Sequence, residues 1–425
     1  MSPSTLAVIG TGYVGLTTGA YLAHLGHSVV CADVVPEKVE RLSRGEIPMF
    51  ETGLEDLVRE GINGNRLSFV VGAAAAVPQA DFVFLCVPTP QGEDGSADLA
   101  YIEAAAREIA PLLRPETVVI NKSTVPVGSS RVVEQAIRRD DIFVVSNPEF
   151  LREGSAVHDC LHPDRIVIGS DDQAAAMRVA SLFERLEAPL IVTDPASAEA
   201  IKYASNAFLA TKVSFVNAVA NLCEAVGADV REVVLGMGYD RRIGFEFLKP
   251  GPGWGGSCFG KDTRALIRLA EDGGYDFSLL RGVVAVNEQQ YDRVVDKVER
   301  MAGGSLAGTA VAAWGLSFKA RTDDTRDSPA VAVIRRLQGR GATVRAYDPA
   351  ATGNLEDIVR VEDPYSVCAG AEVLVVLTEW DEFRWLDLDK VRDAMAHPRI
   401  VDARNLLDPM AVRRKGFAYE GLGRL

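Results

Sequence analysis

The segment with the clearest chemical potential is a cysteine set among glycines, Gly251-Pro-Gly-Trp-Gly-Gly-Ser-Cys258-Phe-Gly-Lys261-Asp262. An amphipathic helical pattern follows this segment, which places Cys258 at or near a helix N-terminus and close to Lys261. A helix N-terminus and a neighbouring cation both lower the pKa of a thiol and favour the thiolate. Cys258 is therefore a candidate nucleophile for covalent catalysis, against the alternative of a small buried hydrophobic residue.

A second candidate site is the glycine pattern Gly10-x-Gly12-x-x-Gly15, which follows a short apolar strand and opens a helix. Asp33 ends the next predicted strand, 21 residues after Gly12. Glycines in this context let a pyrophosphate approach a helix N-terminus, and the carboxylate accepts hydrogen bonds from ribose hydroxyls. Two valines and no arginine follow Asp33, so the pattern favours NAD over NADP. The alternative is a glycine turn that binds no ligand.

Alternating strands and helices in the N-terminal part of the chain must position the glycine pattern. Apolar strands are predicted at residues 6–9, 28–32, 81–87, 117–120, 141–146 and 165–168. Continuous apolar strands separated by helices predict a parallel sheet covered on both faces, which is a doubly wound α/β domain.

The remainder of the chain divides into a helical segment and a second α/β pattern. Residues 196–226 predict one long helix, and a second helical run is predicted from about Lys261. Further strands are predicted at residues 309–314, 343–347, 372–377 and 399–401. The turn of this second pattern, Gly315-Leu-Ser-Phe-Lys319, lacks the glycine fingerprint, so a different ligand is expected there.

The predicted architecture is therefore α/β, with two Rossmann-like doubly wound domains joined by a helical middle domain with a long central helix. The predicted boundaries are residues 1–194, 195–297 and 298–425, and Gly303-Gly304-Ser305 marks the last transition. The middle domain is the candidate dimerisation domain, because long helices with a broad apolar face often form subunit contacts.

Composition excludes several classes of function. The chain has 425 residues, a net charge of −14 and no basic stripe, which argues against a nucleic-acid partner. No apolar stretch approaches the length of a membrane span. The six cysteines are dispersed and have no zinc-ligand spacing, so no metal is expected and a reducing, cytoplasmic location is predicted.

The ordered motifs of the chain resemble those of the UDP-glucose/GDP-mannose dehydrogenase family along almost its whole length. They are, in order, Gly10–Gly15, Cys86-Val-Pro-Thr-Pro90, Lys122-Ser-Thr-Val-Pro-Val-Gly128, Asn147-Pro-Glu-Phe-Leu-Arg-Glu153, Lys202-x-x-x-Asn206, Arg242-Ile-Gly244, Gly255-Gly-Ser-Cys258-Phe-x-Lys-Asp262, and Phe318-Lys319 with Asp324-Thr-Arg326. One departure is Gly260, where many bacterial members have proline. The substitution could loosen the loop but removes no chemical group.

The resemblance implies a four-electron oxidation in which a nucleotide-sugar CH₂OH becomes a carboxylate and two NAD are reduced. The thiolate of Cys258 would capture the intermediate aldehyde as a thiohemiacetal, which is oxidised to a thioester and hydrolysed. Lys202 and Asn206 lie four residues apart on one helix face and would stabilise negative charge on the substrate oxygen. Glu149 would act as base for the hydrolytic water, with Thr124 holding a water nearby. Asp262 would orient Lys202 or a water, or else cap a helix.

The resemblance also assigns ligand contacts residue by residue. Those assigned to NAD are Gly10, Gly12, Tyr13, Val14, Gly15, Asp33, Lys38, Thr89, Thr124, Glu153, Lys261 and Arg326. Those assigned to the nucleotide sugar are Glu149, Phe150, Leu151, Arg152, Glu153, Lys202, Asn206, Arg242, Phe247, Leu248, Lys249, Pro250, Gly251, Gly255, Lys319 and Arg404. Arg242 matches an arginine that reaches the neighbouring subunit's site, which implies a homodimer or higher homo-oligomer. The alternative for Arg242, Lys319 and Arg404 is an ordinary surface cation.

The resemblance implies oxidation of UDP-glucose to UDP-glucuronate, and three other functions are alternatives to it. A GDP-mannose 6-dehydrogenase shares the chemistry, but Phe259, Arg242-Ile-Gly244 and Phe247-Leu-Lys249 favour UDP-glucose. A simple β-hydroxyacid dehydrogenase also uses a Lys-x-x-x-Asn helix, but it needs neither Cys258 nor a second α/β domain. A non-catalytic nucleotide-sugar binding protein would be expected to lack Cys258, Lys202 or Asn206, and all three are present.

Overall fold

The computed structural model describes residues 3–90, 92, 97–353 and 355–424. The outermost residues of the predicted domains, 1–2 and 425, therefore lie outside the described residues. The chain forms two compact units, Met1–Ser205 with Arg264–Gly274 and Asn206–Thr263 with Tyr275–Leu425.

The first unit is built around an eight-stranded sheet. Its strands are β1 (Thr5–Ile9), β2 (Ser28–Asp33), β3 (Leu67–Val71), β4 (Phe82–Leu85), β5 (Val118–Asn121), β6 (Phe143–Ser146), β7 (Ile166–Gly169) and β8 (Leu190–Thr193). Its helices are α1 (Tyr13–His24), α2 (Pro36–Ser43), α3 (Leu54–Asn63), α4 (Ala100–Ile109), α5 (Ser129–Ile137), α6 (Ala156–Leu161) and α7 (Gln173–Ser181). The strand order is β3-β2-β1-β4-β5-β6-β7-β8.

Burial of the central strands on both faces confirms the doubly wound prediction. In β1, Leu6 and Val8 pack into one apolar cluster, whereas Ala7 and Ile9 pack into a second. This alternation between two cores is why the strand reads as a continuous apolar run. Neighbouring strands are parallel except β6 and β7, which pair antiparallel between Ser146 and Gly169. This reversal and the strands β3 and β8 were not predicted.

Four helices follow in the chain: α8 (Pro195–Val226), α9 (Val230–Gly238), α10 (Gly256–Asp272) and α11 (Ser278–Ala302). The long helix predicted over residues 196–226 is confirmed by α8. The second helical run begins at Gly256, not near Lys261 as predicted, because Gly256 and Gly260 have low helix propensity and hide the start. Helix α11 continues past residue 297 and ends before Gly303, which has a φ of +103°.

The second unit contains a six-stranded, all-parallel sheet. Its strands are β9 (Ala310–Trp314), β10 (Thr343–Tyr347), β11 (Val359–Arg360), β12 (Val373–Val376), β13 (Arg399–Asp402) and β14 (Ala418–Gly421), in the order β11-β10-β9-β12-β13-β14. Three more helices pack with it: α12 (Pro329–Gly339), α13 (Leu388–Ala394) and α14 (Pro409–Arg414). The predicted second Rossmann-like sheet is thereby confirmed, with β11 and β14 added to it.

The described part of the chain contains neither a membrane-spanning helix nor a metal-binding cluster. No helix there combines the length and apolar character that a membrane crossing requires. No group of three or more histidine, cysteine or acidic side chains is gathered there in a way that would hold a metal ion.

Candidate active site

The glycine fingerprint forms the turn between β1 and α1. Gly10 has a φ of +94°, and a Cβ on it would lie 2.6 Å from the carbonyl oxygen of Cys86. A Cβ on Gly15 would lie 1.9 Å from the carbonyl oxygen of Gly10, whereas one on Gly12 would meet no protein atom within 4 Å. Gly10 and Gly15 are thus required by packing, and Gly12 leaves the N-terminus of α1 open. An open helix N-terminus without a side chain fits the pyrophosphate of NAD.

Asp33 ends β2 beside this turn. Its Oδ2 accepts hydrogen bonds from the Thr11 amide (3.0 Å) and from Lys38 Nζ (2.9 Å), and its Oδ1 accepts one from the Val35 amide (3.2 Å). Burial alone would raise the pKa of Asp33, but the bonds from Thr11 and Lys38 hold that pKa to about 2. The carboxylate is therefore ionised at neutral pH and would repel the 2′-phosphate of NADP. The sequence pattern did not single out Thr11.

Three predicted residues follow adjacent strands of the sheet: Thr89 after β4, Thr124 after β5 and Glu149 after β6. The Thr89 hydroxyl donates to the Thr124 carbonyl oxygen (2.9 Å), and the Thr124 hydroxyl donates to Glu149 Oε1 (3.3 Å). The carboxyl ends of neighbouring strands form the ligand-binding edge of such a sheet. The fold thus brings together three motifs that are far apart in sequence.

Lys202, in the second turn of α8, completes this cluster. Its Nζ lies 2.9 Å from Glu149 Oε1, and both side chains are about 95% buried, with 4% and 5% exposed. The Leu151 amide donates to Glu149 Oε2 (2.7 Å). Burial would raise the pKa of Glu149, but the charge and hydrogen bond of Lys202 outweigh burial and lower that pKa. The ion pair therefore keeps Glu149 in the form that can accept a proton.

The rest of the Asn147–Glu153 motif packs around this ion pair. The Phe150 ring lies 5.5 Å from Lys202 Nζ and 3.7 Å from the Arg165 guanidinium. Arg152 is held by Asp159, with an Nη2 to Oδ1 distance of 2.6 Å. The structure therefore gives Phe150 a place beside Lys202, and it directs Arg152 toward Asp159.

Glu51 is a buried carboxylate that the sequence did not single out. It accepts hydrogen bonds from the Tyr13 hydroxyl, the Gly154 amide (2.6 Å) and the Ala156 amide (2.9 Å). Burial and the neighbouring Glu51 raise the pKa of Tyr13 well above its ordinary value. Glu51 thereby ties the loop that carries Glu153 to the fingerprint helix α1. A lone glutamate in a loop carries no sequence signal for such a role.

Cys258 is the third residue of α10. The first-turn amides of a helix have no intrahelical acceptor, so this position favours a thiolate. The other five cysteines are buried, whereas Cys258 is partly exposed. Burial raises the pKa of Cys86 and of Cys368 to about 12, which makes those thiols inert at neutral pH. Position and exposure thus distinguish Cys258 from the other cysteines.

Asp262, four residues after Cys258, is fully buried. It accepts hydrogen bonds from two of the predicted site residues. Its Oδ2 accepts a hydrogen bond from Asn206 Nδ2, and its Oδ1 accepts one from Lys261 Nζ, both at 2.6 Å. Asp262 is the seventh residue of α10, so the alternative that it caps a helix is wrong. The carboxylate fixes the amide orientation of Asn206.

Buried amides hold the glycine loop that precedes Cys258. Gly251 donates its amide to Asn217 Oδ1 (2.8 Å), and its carbonyl accepts from Gln290 Nε2 (3.0 Å). Asn287 pairs with both backbone groups of Trp254, at 2.8 and 3.0 Å. The sequence did not reveal these amides, although polar residues at apolar positions of α8 and α11 are the available signal.

Elements of the second sheet also surround this loop. A Cβ on Gly255 would lie 2.0 Å from the carbonyl oxygen of Asp327, and one on Gly256 would lie 2.9 Å from the Phe318 ring. The motif of Phe318 and Lys319 therefore meets the glycines before Cys258. The Lys319 ammonium lies 5.4 Å from the Phe318 ring centre.

The predicted cations of the second unit differ in their surroundings. Arg404 donates to the carbonyl oxygens of Phe318 (3.0 Å) and Leu377 (2.8 Å), and its guanidinium would lie 3.1 Å from a Cβ on Gly251. The fold thus brings Arg404 to two predicted segments. Arg326 is bonded to Asp324 (2.7 Å), and the 89% exposed Arg242 side chain is bonded to Asp240 (2.6 Å).

The loop of residues 247–250 carries backbone strain. Phe247 has a φ of +63°, which is rare for a bulky residue, and its ring lies 6.1 Å from that of Phe259. Leu248 is buried, whereas Lys249 is exposed. Strain of this kind is concentrated at ligand-binding segments.

The chain is similar in sequence and structure to known proteins. Models of the NAD binding, central and UDP binding domains of the UDP-glucose/GDP-mannose dehydrogenase family match residues 4–187, 196–289 and 312–409. A UDP-glucose 6-dehydrogenase of Rhizobium meliloti is 46% identical over 99% of both chains. The UDP-glucose 6-dehydrogenase TuaD of Bacillus subtilis is 44% identical over 99% of this chain and 93% of its own length. A UDP-glucose dehydrogenase structure from Pyrobaculum islandicum has a TM-score of 0.92 at 39% identity, covering 100% of this chain and 98% of its own.

Proposed function

This chain belongs to the UDP-glucose/GDP-mannose dehydrogenase family, and from that premise we propose that it oxidises UDP-glucose to UDP-glucuronate with two molecules of NAD. Its full-length relatives carry the name UDP-glucose 6-dehydrogenase. The observation that carries the proposal is the partly exposed Cys258 in the first turn of α10, among five buried cysteines. A single hydride transfer from an alcohol needs no such thiol.

The cofactor is NAD, and when bound it would supply the hydride acceptor for each of the two oxidations. The open N-terminus of α1 and the ionised Asp33 would hold its pyrophosphate and adenosine ribose. The remaining proposed NAD contacts are Tyr13, Val14, Lys38, Thr89, Thr124, Glu153, Lys261 and Arg326. In the first oxidation, Lys202 and Asn206 stabilise negative charge on the substrate oxygen as the primary alcohol becomes an aldehyde.

The second half of the reaction uses the thiol. The Cys258 thiolate attacks the aldehyde carbon and forms a thiohemiacetal anion, which becomes a thioester by giving up a second hydride, for which NAD would be the acceptor. Water then attacks the thioester carbon, Glu149 accepts the proton of that water, and the thiolate leaves. Covalent capture prevents the aldehyde from escaping between the two oxidations.

The substrate diphosphate needs cations and N–H donors. Lys249, Lys319 and Arg404 are the proposed cations, and the Gly251 and Gly255 loop supplies close backbone approach. These proposed diphosphate contacts are supported by the placement of Arg404 beside Gly251 and of Phe318 beside Gly256. A nucleotide sugar is therefore bound by local groups in a chain whose net charge is −14.

The stoichiometry of NADH tests this function. We expect two NADH for each UDP-glucose consumed, and we expect UDP-glucose to be the best substrate in a panel with GDP-mannose, TDP-glucose and UDP-N-acetyl sugars. NADH absorbance and chromatography of the sugar nucleotides provide the readout. One NADH with aldehyde as the end product would refute the four-electron reaction, and preference for GDP-mannose would favour the second candidate function.

The proposed oligomer is a homodimer through α8. Phe208, Phe215 and Leu222 lie seven residues apart on this helix and are 65%, 54% and 59% exposed, which forms a stripe suited to a second helix. We expect Phe215→Arg to shift sedimentation to the monomer and to lower activity, because Arg242 is proposed to serve the partner's site. Trp385→Arg changes a still more exposed aromatic residue (84%) elsewhere and should leave the dimer intact. A monomeric wild type would contradict the proposal.

The proposed domains are an NAD-binding domain (1–194), a helical middle domain (195–297) and a nucleotide-sugar-binding domain (298–425). The spans matched by the three family models support this division. Early proteolysis inside 195–297, with the junctions intact, would contradict it.

The proposed location is the cytoplasm, because buried thiols such as Cys31 and Cys86 suit a reducing compartment. Recovery of the enzyme outside the cytoplasm on fractionation would contradict that location.

A further inference from the structure

Glu199 is a carboxylate on α8 that neither the mechanism nor the sequence motifs assign. It is 2% exposed and lies three residues before Lys202, on the same side of the helix. Its oxygens accept hydrogen bonds from the amides of Gly128 (2.6 Å) and Ser130 (2.9 Å). The hydroxyls of Ser130 (2.7 Å) and Ser146 (3.1 Å) donate to it as well.

Glu199 caps another helix from a distance of about 70 residues in sequence. Helix α5 begins after Gly128, which has a φ of +97° and no side chain to cap the first-turn amides. The Glu199 carboxylate accepts hydrogen bonds from the Gly128 and Ser130 amides at this helix start. Its negative charge is also favourable at the positive end of the α5 dipole. This contact fixes the first turns of α8 against the start of α5.

The groups bonded to Glu199 belong to the segments that carry the reacting cluster. Gly128 ends the motif that contains Thr124, and Ser146 lies three residues before Glu149 at the end of β6. Lys202 is one helical turn after Glu199. One carboxylate thus links the segments of Thr124, Glu149 and Lys202, whose side chains meet at 3.3 and 2.9 Å.

We propose that Glu199 is a positioning residue that sets the geometry of Lys202 against Glu149. The proposal rests on the proposed catalytic role of Lys202. Loss of the Glu199 contacts lets α8 shift relative to β6, and displacements of about 1 Å at a reacting group lower turnover about 100-fold. The fingerprint and Asp33 lie outside the segments bonded to Glu199, whereas Thr124 and Glu153 are carried by them, so we expect NAD binding to change much less than kcat.

The test compares Glu199→Gln with the wild type. We expect kcat to fall about 10-fold with the KM for NAD within about 2-fold, and we expect Glu199→Ala to lower kcat about 100-fold. A second readout needs no substrate: acylation of the purified protein with an acetylating reagent, followed by peptide mass spectrometry at Lys202. The 4% exposed lysine should be protected in the wild type and labelled several-fold faster in Glu199→Gln.

Asp172→Asn is the matched control, because Asp172 caps the separate helix α7 of the same unit through the Ala175 amide (2.7 Å). It should lower the melting temperature without changing kcat or Lys202 labelling. If Glu199→Gln does not fold, Ser146→Ala removes one donor and should raise Lys202 labelling by itself. Unchanged kcat and unchanged labelling in a folded Glu199→Gln would overturn the proposal. A wild type that does not oxidise UDP-glucose would refute the proposed function, while the labelling result still reports on Glu199.

Discussion

Cys258→Ala is expected to lower UDP-glucuronate formation about 1,000-fold or more, because no other described cysteine can replace the thiolate. The five remaining cysteines are buried, and burial holds the pKa of Cys86 and Cys368 near 12. The fall should appear in kcat, with the KM for NAD unchanged, since the fingerprint of residues 10–15 is intact. Initial rates of NADH formation under saturating substrate measure it.

Cys223→Ala provides the matched control for this variant. Cys223 is 3% exposed on α8, and its truncation removes a buried sulfur without touching the proposed chemistry. It should lower the melting temperature and keep wild-type kcat. Rapid quenching of the wild type during turnover should also yield an acyl adduct on the Cys258 peptide that Cys258→Ala lacks. Wild-type turnover by Cys258→Ala would show that the nucleophile is wrongly assigned.

The strands that could be predicted from the sequence are the central ones. All four that were missed, β3, β8, β11 and β14, lie at the two ends of their sheets. An edge strand is covered on fewer sides, and Leu190, Ile191 and Val192 of β8 are each more than 40% exposed. Strand β11 has only two residues, and Ser68 and Glu420 interrupt β3 and β14, so these three lack the continuous apolar run that marks a buried parallel strand. Strand β8 does contain an apolar run, and the prediction missed it without such a reason.

The site residues divide into those that act through local structure, which the sequence reveals, and those that act through distant contacts, which it does not. Gly10, Asp33 and Cys258 act through their local turn, strand end or helix start, so their spacing to neighbouring elements carries the signal. Glu51 and Glu199 act through amides 103 and 71 residues away in sequence. In the sequence, a glutamate that tertiary packing buries cannot be distinguished from one that lies exposed in a loop or on a helix. Such positioning groups therefore emerge only from the fold.

Lys202→Met is expected to have the second large effect, on both activity and stability. Loss of the ammonium removes the proposed donor to the substrate oxygen, which lowers kcat about 100- to 1,000-fold. It also leaves the 5% exposed carboxylate of Glu149 without its ion pair, and an uncompensated buried charge costs about 3–5 kcal/mol. NADH formation and the free energy of urea unfolding measure the two losses separately.

The contribution of Glu149 to the pH dependence of stability should change sign in this variant. In the wild type, Lys202 holds the pKa of Glu149 below its unfolded value of about 4.3, so the pair stabilises the fold above that pH and loses its contribution as pH falls through the lowered value. Without Lys202, burial becomes the dominant influence and raises the pKa of Glu149, opposed only in part by the Leu151 amide hydrogen bond and the charge of Lys122. A raised pKa stabilises at low pH and loses that contribution as pH rises. The stability gap between the wild type and Lys202→Met should therefore widen between pH 4 and neutrality.

A double variant separates the electrostatic cost from the chemical one. Lys202→Met with Glu149→Gln removes both charges, and the neutral amide can still accept the Leu151 hydrogen bond, so most of the lost stability should return. Turnover should not return, because neither the ammonium nor the base is restored. Recovery of stability without activity assigns Lys202 two separable roles, as the counter-ion of Glu149 and as a donor to substrate. Recovery of both would mean that neither the Lys202 ammonium nor the Glu149 carboxylate takes part in the chemistry, and the oxygen-stabilising role would then fall to Asn206 alone.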